Sequence, residues 1–205
     1  MYRKVGRLVK FRCLCDGQCC KKYWIPVTHL DLLRLKIYGG IEVDESIVEL
    51  KDREIYNLDI YPPIVIGDKE YFLALVSKDD GSCVFLRDDG KCSVHEYKPL
   101  VCRFYPFVYY VKDDGEIGID VNEKAVGECP GLVMDGEPID RDIVENLKKI
   151  TYARREELKL WSETINEWNN SYGSKVSDLG TFLKFSLDKA EKHMKELIKK
   201  GIWIK

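Results

Sequence analysis

This chain of 205 residues has no long hydrophobic run. The longest apolar stretches, Tyr71–Val76 and Phe107–Val111, fall far short of the roughly 20 residues that span a bilayer, so no membrane-spanning helix is expected. The start, Met1–Lys10, carries basic residues but no apolar leader core, and the chain reads as cytoplasmic. Charge of one sign is also missing. The 33 basic and 35 acidic side chains leave a net charge of −2, so no global field favours nucleic acid. Glutamine is nearly absent, with Gln18 alone, while Lys, Glu, Ile, Val and Tyr are abundant, a usage resembling that of a hyperthermophile. There is no Gly-rich nucleotide fingerprint, no Ser/His/Asp order, no spaced carboxylate pair and no internal repeat. What remains is enough for an ordinary core, since a chain of this length buries roughly 70% of its unfolded surface.

Two parts are expected. Residues 1–137 net −5 and hold every cysteine, whereas residues 138–205 net +3 and show helical periodicity. Near the N-terminus, Thr28 with Asp31 reads as a capping box, Leu30, Leu33 and Ile37 as an apolar stripe, and Gly39-Gly40 as the helix end. The stretch Asp44–Leu58 is expected to be partly helical. Three hairpin signals follow. Gly67-Asp68 is a type II′ pair between Ile64–Ile66 and Glu70–Val76, Arg87–Gly90 separates Cys83–Leu86 from Lys91–Val94, and Asp113–Gly115 separates Phe107–Val111 from Glu116–Val121. Tyr97–Tyr105 fits a short helix with Pro99 in its first turn. Beyond Pro138, apolar residues step by three or four from 143 to 168, except at Arg154, and again from 179 to 198. Tyr172-Gly173-Ser174 breaks the series, and Ser177 or Asp178 caps the second helix. The expected class is α+β: a small antiparallel sheet of hairpins with short helices and Cys-rich loops, then a C-terminal two-helix tail.

The unusual content is eight cysteines. Cys13, Cys15, Cys19 and Cys20 stand within eight residues, and Cys83, Cys92, Cys102 and Cys129 are spread behind them. Thiolates are soft, charged ligands, and four of them complete a tetrahedral zinc or the corners of an iron–sulfur cluster. Gly17 permits the tight turn that wraps such a loop. Neighbouring side chains tend to diverge, so Cys19 and Cys20 fit two irons, or two sites, better than one ion. Metal ligation leads. Disulfides stand second, because hyperthermophiles keep them in the cytosol, and unpaired core thiols third. Within the metal reading, an iron–sulfur cluster of the 4Fe–4S type stands ahead of zinc. All eight cysteines are expected around one or two centres.

These residues resemble the YkgJ-like cysteine-cluster family, whose members carry C-x-x-C-x-x-C-C and are described as zinc- or iron-chelating. The likeness runs over about residues 11–132. Val27–Leu35 is similar to the family's L-T-x-x-D-x-x-R-L helix. Cys83–Leu86, Gly90–Val94 and Lys98–Pro106 are similar to its C-x-F-L…G-x-C-x-I-Y-x-x-R-P-x-x-C-R-x-F-P block, and Cys129-Pro-Gly131 to its final C-P-G. Three positions depart from the pattern: Cys15 sits one place early, His95 replaces a frequent tyrosine, and Lys98 replaces a frequent arginine. The resemblance implies metal binding. Relatives among flagellin lysine methylases imply, more remotely, an iron–sulfur-dependent enzyme.

Among other candidates, Arg103 beside Cys102 is read as a structural ion-pair residue or, nearly as readily, as a donor to cluster sulfurs or to an anionic substrate. His95 is read as a partly exposed strand-end residue with a ligand role as the alternative, His29 as a surface residue and His193 as solvated. Tyr105, Tyr109 and Tyr110 are read as packing groups, as are Trp24, Trp161, Trp168 and Trp203. The basic arm 1–12 is read as a solvated terminus, and the tail helices as a surface for a protein partner. Two functions remain open: a structural or electron-transfer metal protein, or an enzyme that uses its centre in a protein-modifying reaction.

Overall fold

The computed structural model of the chain describes residues 9–56, 58–134, 138–176 and 178–205. In chain order its elements are β1 (Lys10–Phe11), α1 (Gln18–Lys22), α2 (His29–Gly39), β2 (Val48–Asp52), β3 (Ile64–Ile66), β4 (Lys69–Leu75), α3 (Leu100–Phe104), β5 (Phe107–Val111), β6 (Ile117–Val121), β7 (Leu132–Val133), α4 (Arg141–Ser171) and α5 (Leu179–Lys199). The class is α+β, with small antiparallel sheets and short helices ahead of two long ones.

Among the described residues the strands form three small sheets rather than one: β1–β7, β2–β4–β3 and β5–β6. The outer two hairpins form where the sequence signals them. Ile66 pairs with Lys69 across Gly67-Asp68, and Gly67 takes φ 66° while Asp68 keeps a negative φ, as a II′ turn requires. The middle hairpin does not extend into a ladder. Its arms meet in the single bridge Leu86–Cys92, flanked by bonds from Arg87 N–H to Lys91 C=O and from Ser93 N–H to Phe85 C=O, each 2.9 Å, while Leu86 N–H returns to Cys83 C=O at 2.9 Å and coils the first arm. The helix expected within 44–58 is replaced by β2. Asp44 turns the chain by accepting from Ser46 N–H at 2.8 Å, and Val48–Asp52 then pairs with Tyr71–Leu75 of β4. Tertiary pairing overrides a weak local preference there.

Helix α2 carries the expected capping box, with Thr28 and Asp31 bonding reciprocally, and Gly40 closes it at φ 62°. It is buried nearly all round, from His29 to Leu35, whereas Ile37 lies on the exposed side. Asp178 caps α5 by accepting from Thr181 N–H at 2.8 Å, and Ser177, the other expected cap, lies outside the described residues. Most of the basic arm also lies outside them, and its end forms β1.

Three apolar clusters hold these elements together, and each draws on both sides of Pro138. Trp161, Trp168 and Phe182 pack with Leu32, Leu35 and Phe72; Leu147 and Ile150 with Leu100, Phe104 and Phe107; Leu160, Ala190 and Leu197 with Leu30 and Leu33. Trp161 and Trp168 thus pack as their spacing suggests. Polar groups are buried with them. Arg34 of α2 forks onto Glu157 of α4, donating from Nη1 to Oε2 at 3.0 Å and from Nη2 to Oε1, and its Nε donates to Ile204 C=O at 2.6 Å. His29 is fully buried and His193 half-buried, and they share a hydrogen bond of 2.8 Å. Both histidines correct the surface and solvated roles expected for them, because α5 folds back over α2.

Candidate metal centre

The cysteine loop is shaped by backbone constraints before any ligand enters. Gly17 holds φ 71°, and a Cβ there would stand 2.4 Å from Leu86 Cδ1 and 2.5 Å from Gly90 C=O. The loop therefore sits directly on the Arg87–Gly90 turn. Cys15 is the one non-glycine with positive φ among the described residues, at 53°. Such a conformation is uncommon outside glycine and clusters at functional sites. Cys83 N–H donates to Cys20 C=O at 2.8 Å, which fastens the second cysteine segment to the first. The segment after Cys20 runs beside β4, where Leu75 N–H donates to Ile25 C=O at 2.9 Å.

These contacts bring seven cysteines to one cavity of about 640 Å³: Cys13, Cys15, Cys19, Cys20, Cys83, Cys92 and Cys102. His95 and Lys98 line it as well. Cys129 lies outside the lining, although Asp16 and Cys19 are within electrostatic reach of its thiol. Arg103 lies outside too. Its Nε donates to Lys98 C=O at 3.1 Å, and its Nη2 donates to Glu96 and Lys205 carbonyls, so its fork is occupied by backbone.

Two sulfur pairs stand close. Cys13 and Cys15 Sγ are 3.9 Å apart, and Cys15 Sγ is 3.9 Å from His95 Nε2. The three ligand atoms lie within 4.8 Å of one another. Cys19 and Cys20 Sγ are 4.0 Å apart. The divergence expected of these neighbours is not seen: the helix offsets them by about 100°, and two short side chains turn to the same space. Two sulfurs on a tetrahedral ion bound at about 2.3 Å stand about 3.8 Å apart. By spacing and by soft donor type, the residues present fit a thiolate-bound metal.

Electrostatics agree with that fit. Cys19 is lowered to about 7 and Cys92 to about 6, each chiefly by a hydrogen bond with Cys20, whose own thiol is pushed up by those same contacts. The Lys98 ammonium also favours the thiolates of Cys13, Cys19 and Cys92. Burial pushes Cys83 up to about 11 and Cys102 well above the usual thiol range.

His95 joins the Cys13–Cys15 pair through a 3-10 turn, His95–Tyr97, which agrees with the ligand role given in sequence as the alternative to a strand-end residue. One residue of the cavity was missed in the sequence. Arg154, which interrupts the apolar series of α4, lines the same cavity. Its departure from the stripe was the signal. Tyr105 and Tyr109 also line the cavity, whereas Tyr110 packs over Gly118.

A thiolate-lined site on a small α+β body is thus the class that fold and site define. Residues 12–130 match the CxxCxxCC family, whose description reads "Putative zinc- or iron-chelating domain", and the chain belongs to that family. No curated protein and no solved structure matches the chain. No helix among the described residues is long and apolar enough to cross a membrane.

Proposed function

We propose that this protein holds a resident metal centre in the thiolate cavity, with an iron–sulfur cluster as the favoured form and a structural or electron-transfer role. The convergence of seven cysteines from separate segments on one cavity carries the reading. A space of about 640 Å³ exceeds what a single ion with ligands at about 2.3 Å needs. Cys83, Cys92 and Cys102 come to it from chain segments other than the Cys13–Cys20 loop, which suits the several corners of a cluster. An iron–sulfur centre supplies one-electron chemistry. In this reading the part before Pro138 supplies the ligands and residues 138–205 buttress them.

Zinc is the second reading, and the pairs at 3.9 and 4.0 Å favour it, being spaced as two ligands on one ion. With His95, the rim pair makes a three-ligand set of a kind that suits zinc with an open fourth position. The enzyme alternative draws support from the room left beyond the sulfurs. The deciding measurement is metal and acid-labile sulfide content, with an absorption spectrum, on protein purified without oxygen. Iron with sulfide and a brown chromophore supports the cluster. Zinc alone, without colour, replaces it with the second reading. Folded protein with neither metal overturns both.

A further inference from the structure

The cavity has a second chemical character that its sulfurs do not use. Away from them its wall is apolar and aromatic, including Trp24, Ile60, Phe107 and Tyr109. Into this wall α4 sets one cation, Arg154, which is 5% exposed. Buried charges are ordinarily paired and hydrogen-bonded. Arg154 donates from Nη2 to the neutral hydroxyl of Tyr61 at 2.8 Å, and among the described residues no carboxylate stands within ion-pair distance of it.

The nearest acids are committed elsewhere. Glu157 spends both oxygens on the Arg34 fork. Asp31 acts on Arg154 through space, but its Oδ1 accepts from Leu100 N–H at 2.9 Å and from Arg34, and its Oδ2 accepts from Thr28 N–H at 3.1 Å. Asp31 therefore offsets charge without filling the guanidinium's fork. A fork of N–H donors inside an apolar wall is a recognition element for a planar acceptor, and a carboxylate is the group that matches it with two parallel bonds. Apolar pockets with few convergent polar groups are the usual form of small-molecule sites.

We propose that the cavity binds a small monocarboxylate with an apolar body, its carboxylate on Arg154 and its body along the Trp24, Ile60, Phe107 and Tyr109 wall. Tyr61 is a positioning residue that fixes the guanidinium. The site shares its cavity with the metal reading but does not need a bound metal, because Arg154 and the apolar wall stand apart from the sulfurs.

The test uses calorimetric titration of the protein purified without oxygen, with metal content measured on the same sample. Octanoate, octanol and acetate are compared. Octanoate is expected to bind, with octanol and acetate each at least about tenfold weaker, since a charge-assisted bidentate contact and a buried apolar body each contribute more than a factor of ten. Arg154→Gln is expected to weaken octanoate about tenfold or more while leaving octanol binding and metal content unchanged. Octanoate that fails to bind at millimolar concentration, or that binds no better than octanol or acetate, overturns the proposal, as does an Arg154→Gln protein that binds octanoate undiminished. The wild-type comparison decides alone if the variant does not fold. Octanoate binding with no metal in the sample would sink the metal reading and leave this one standing. Full metal with no octanoate binding would do the reverse.

Discussion

At the scale of single residues, the site is set by a few positions where backbone or burial leaves little choice. Gly17 is the sharpest. A methyl there meets Gly90 backbone at 2.5 Å on a φ of 71°, so Gly17→Ala must lift the cysteine loop off its turn. We expect Gly17→Ala to fold but to lose metal, read as metal per chain after gel filtration. His95→Ala should lower metal content only where the Cys13–Cys15 pair holds its own ion; an unchanged spectrum with one fewer zinc per chain would locate that ion. His29 makes a different statement. Burial, then His193, then Arg34 hold its pKa well below 6.5, so the folded state excludes a proton that the unfolded chain binds. Stability from this group is present in full above about pH 6.5 and falls as pH drops from there toward the lowered folded value, by about 1.4 kcal/mol per pH unit for one excluded proton. Melting curves from pH 8 to 5 should show this slope, and His29→Gln should flatten it. The gathering of cysteines was legible in sequence, because four of them stand within eight residues and two more flank one turn. His29 and Arg154 were not, because their surroundings come from α5, 164 residues away, and from Tyr61, 93 residues away.

At the scale of elements, the readable ones carry their own punctuation. Thr28, Asp31 and Gly40 fix both ends of α2, and Gly67-Asp68 fixes the β3–β4 turn, so local sequence and final structure agree. Thr28→Ala should cost about 1 kcal/mol by urea unfolding, the usual effect of losing an N-cap. The loss sits under the cavity, since Asp31 of the same box also anchors Leu100 N–H at the start of α3. Elements without punctuation went astray. The 44–58 stretch has no strong period of its own and takes strand form from β4. The Cys83–Val94 stretch has the turn of a hairpin and crosses it at Leu86–Cys92, but Leu86 N–H turns back to Cys83 C=O and the pairing stops short of a ladder.

Across the whole molecule, the two halves separated by composition are joined by the Arg34–Glu157 fork and by three shared clusters. Glu157→Leu should destabilise the protein by about 3–5 kcal/mol, because it strands a buried guanidinium; Arg34→Met together with Glu157→Leu should recover much of that loss. Urea unfolding of both proteins checks the pair. The charge step at Pro138 could not reveal this joining, since a sequence displays which residues are polar but not which are paired across 123 positions. Metal removal should act on the same whole, because binding energy at ligands from distant segments is also folding energy. The close sulfur pairs have one more consequence. A spacing that lets two thiols grip one ion also lets them reach each other when oxidant arrives. A metal held there would then serve as a protecting group for the sulfurs. Protein stripped of it in air should lose about two daltons for each pair that closes, so intact mass before and after chelation would record how long the sulfurs stood unguarded.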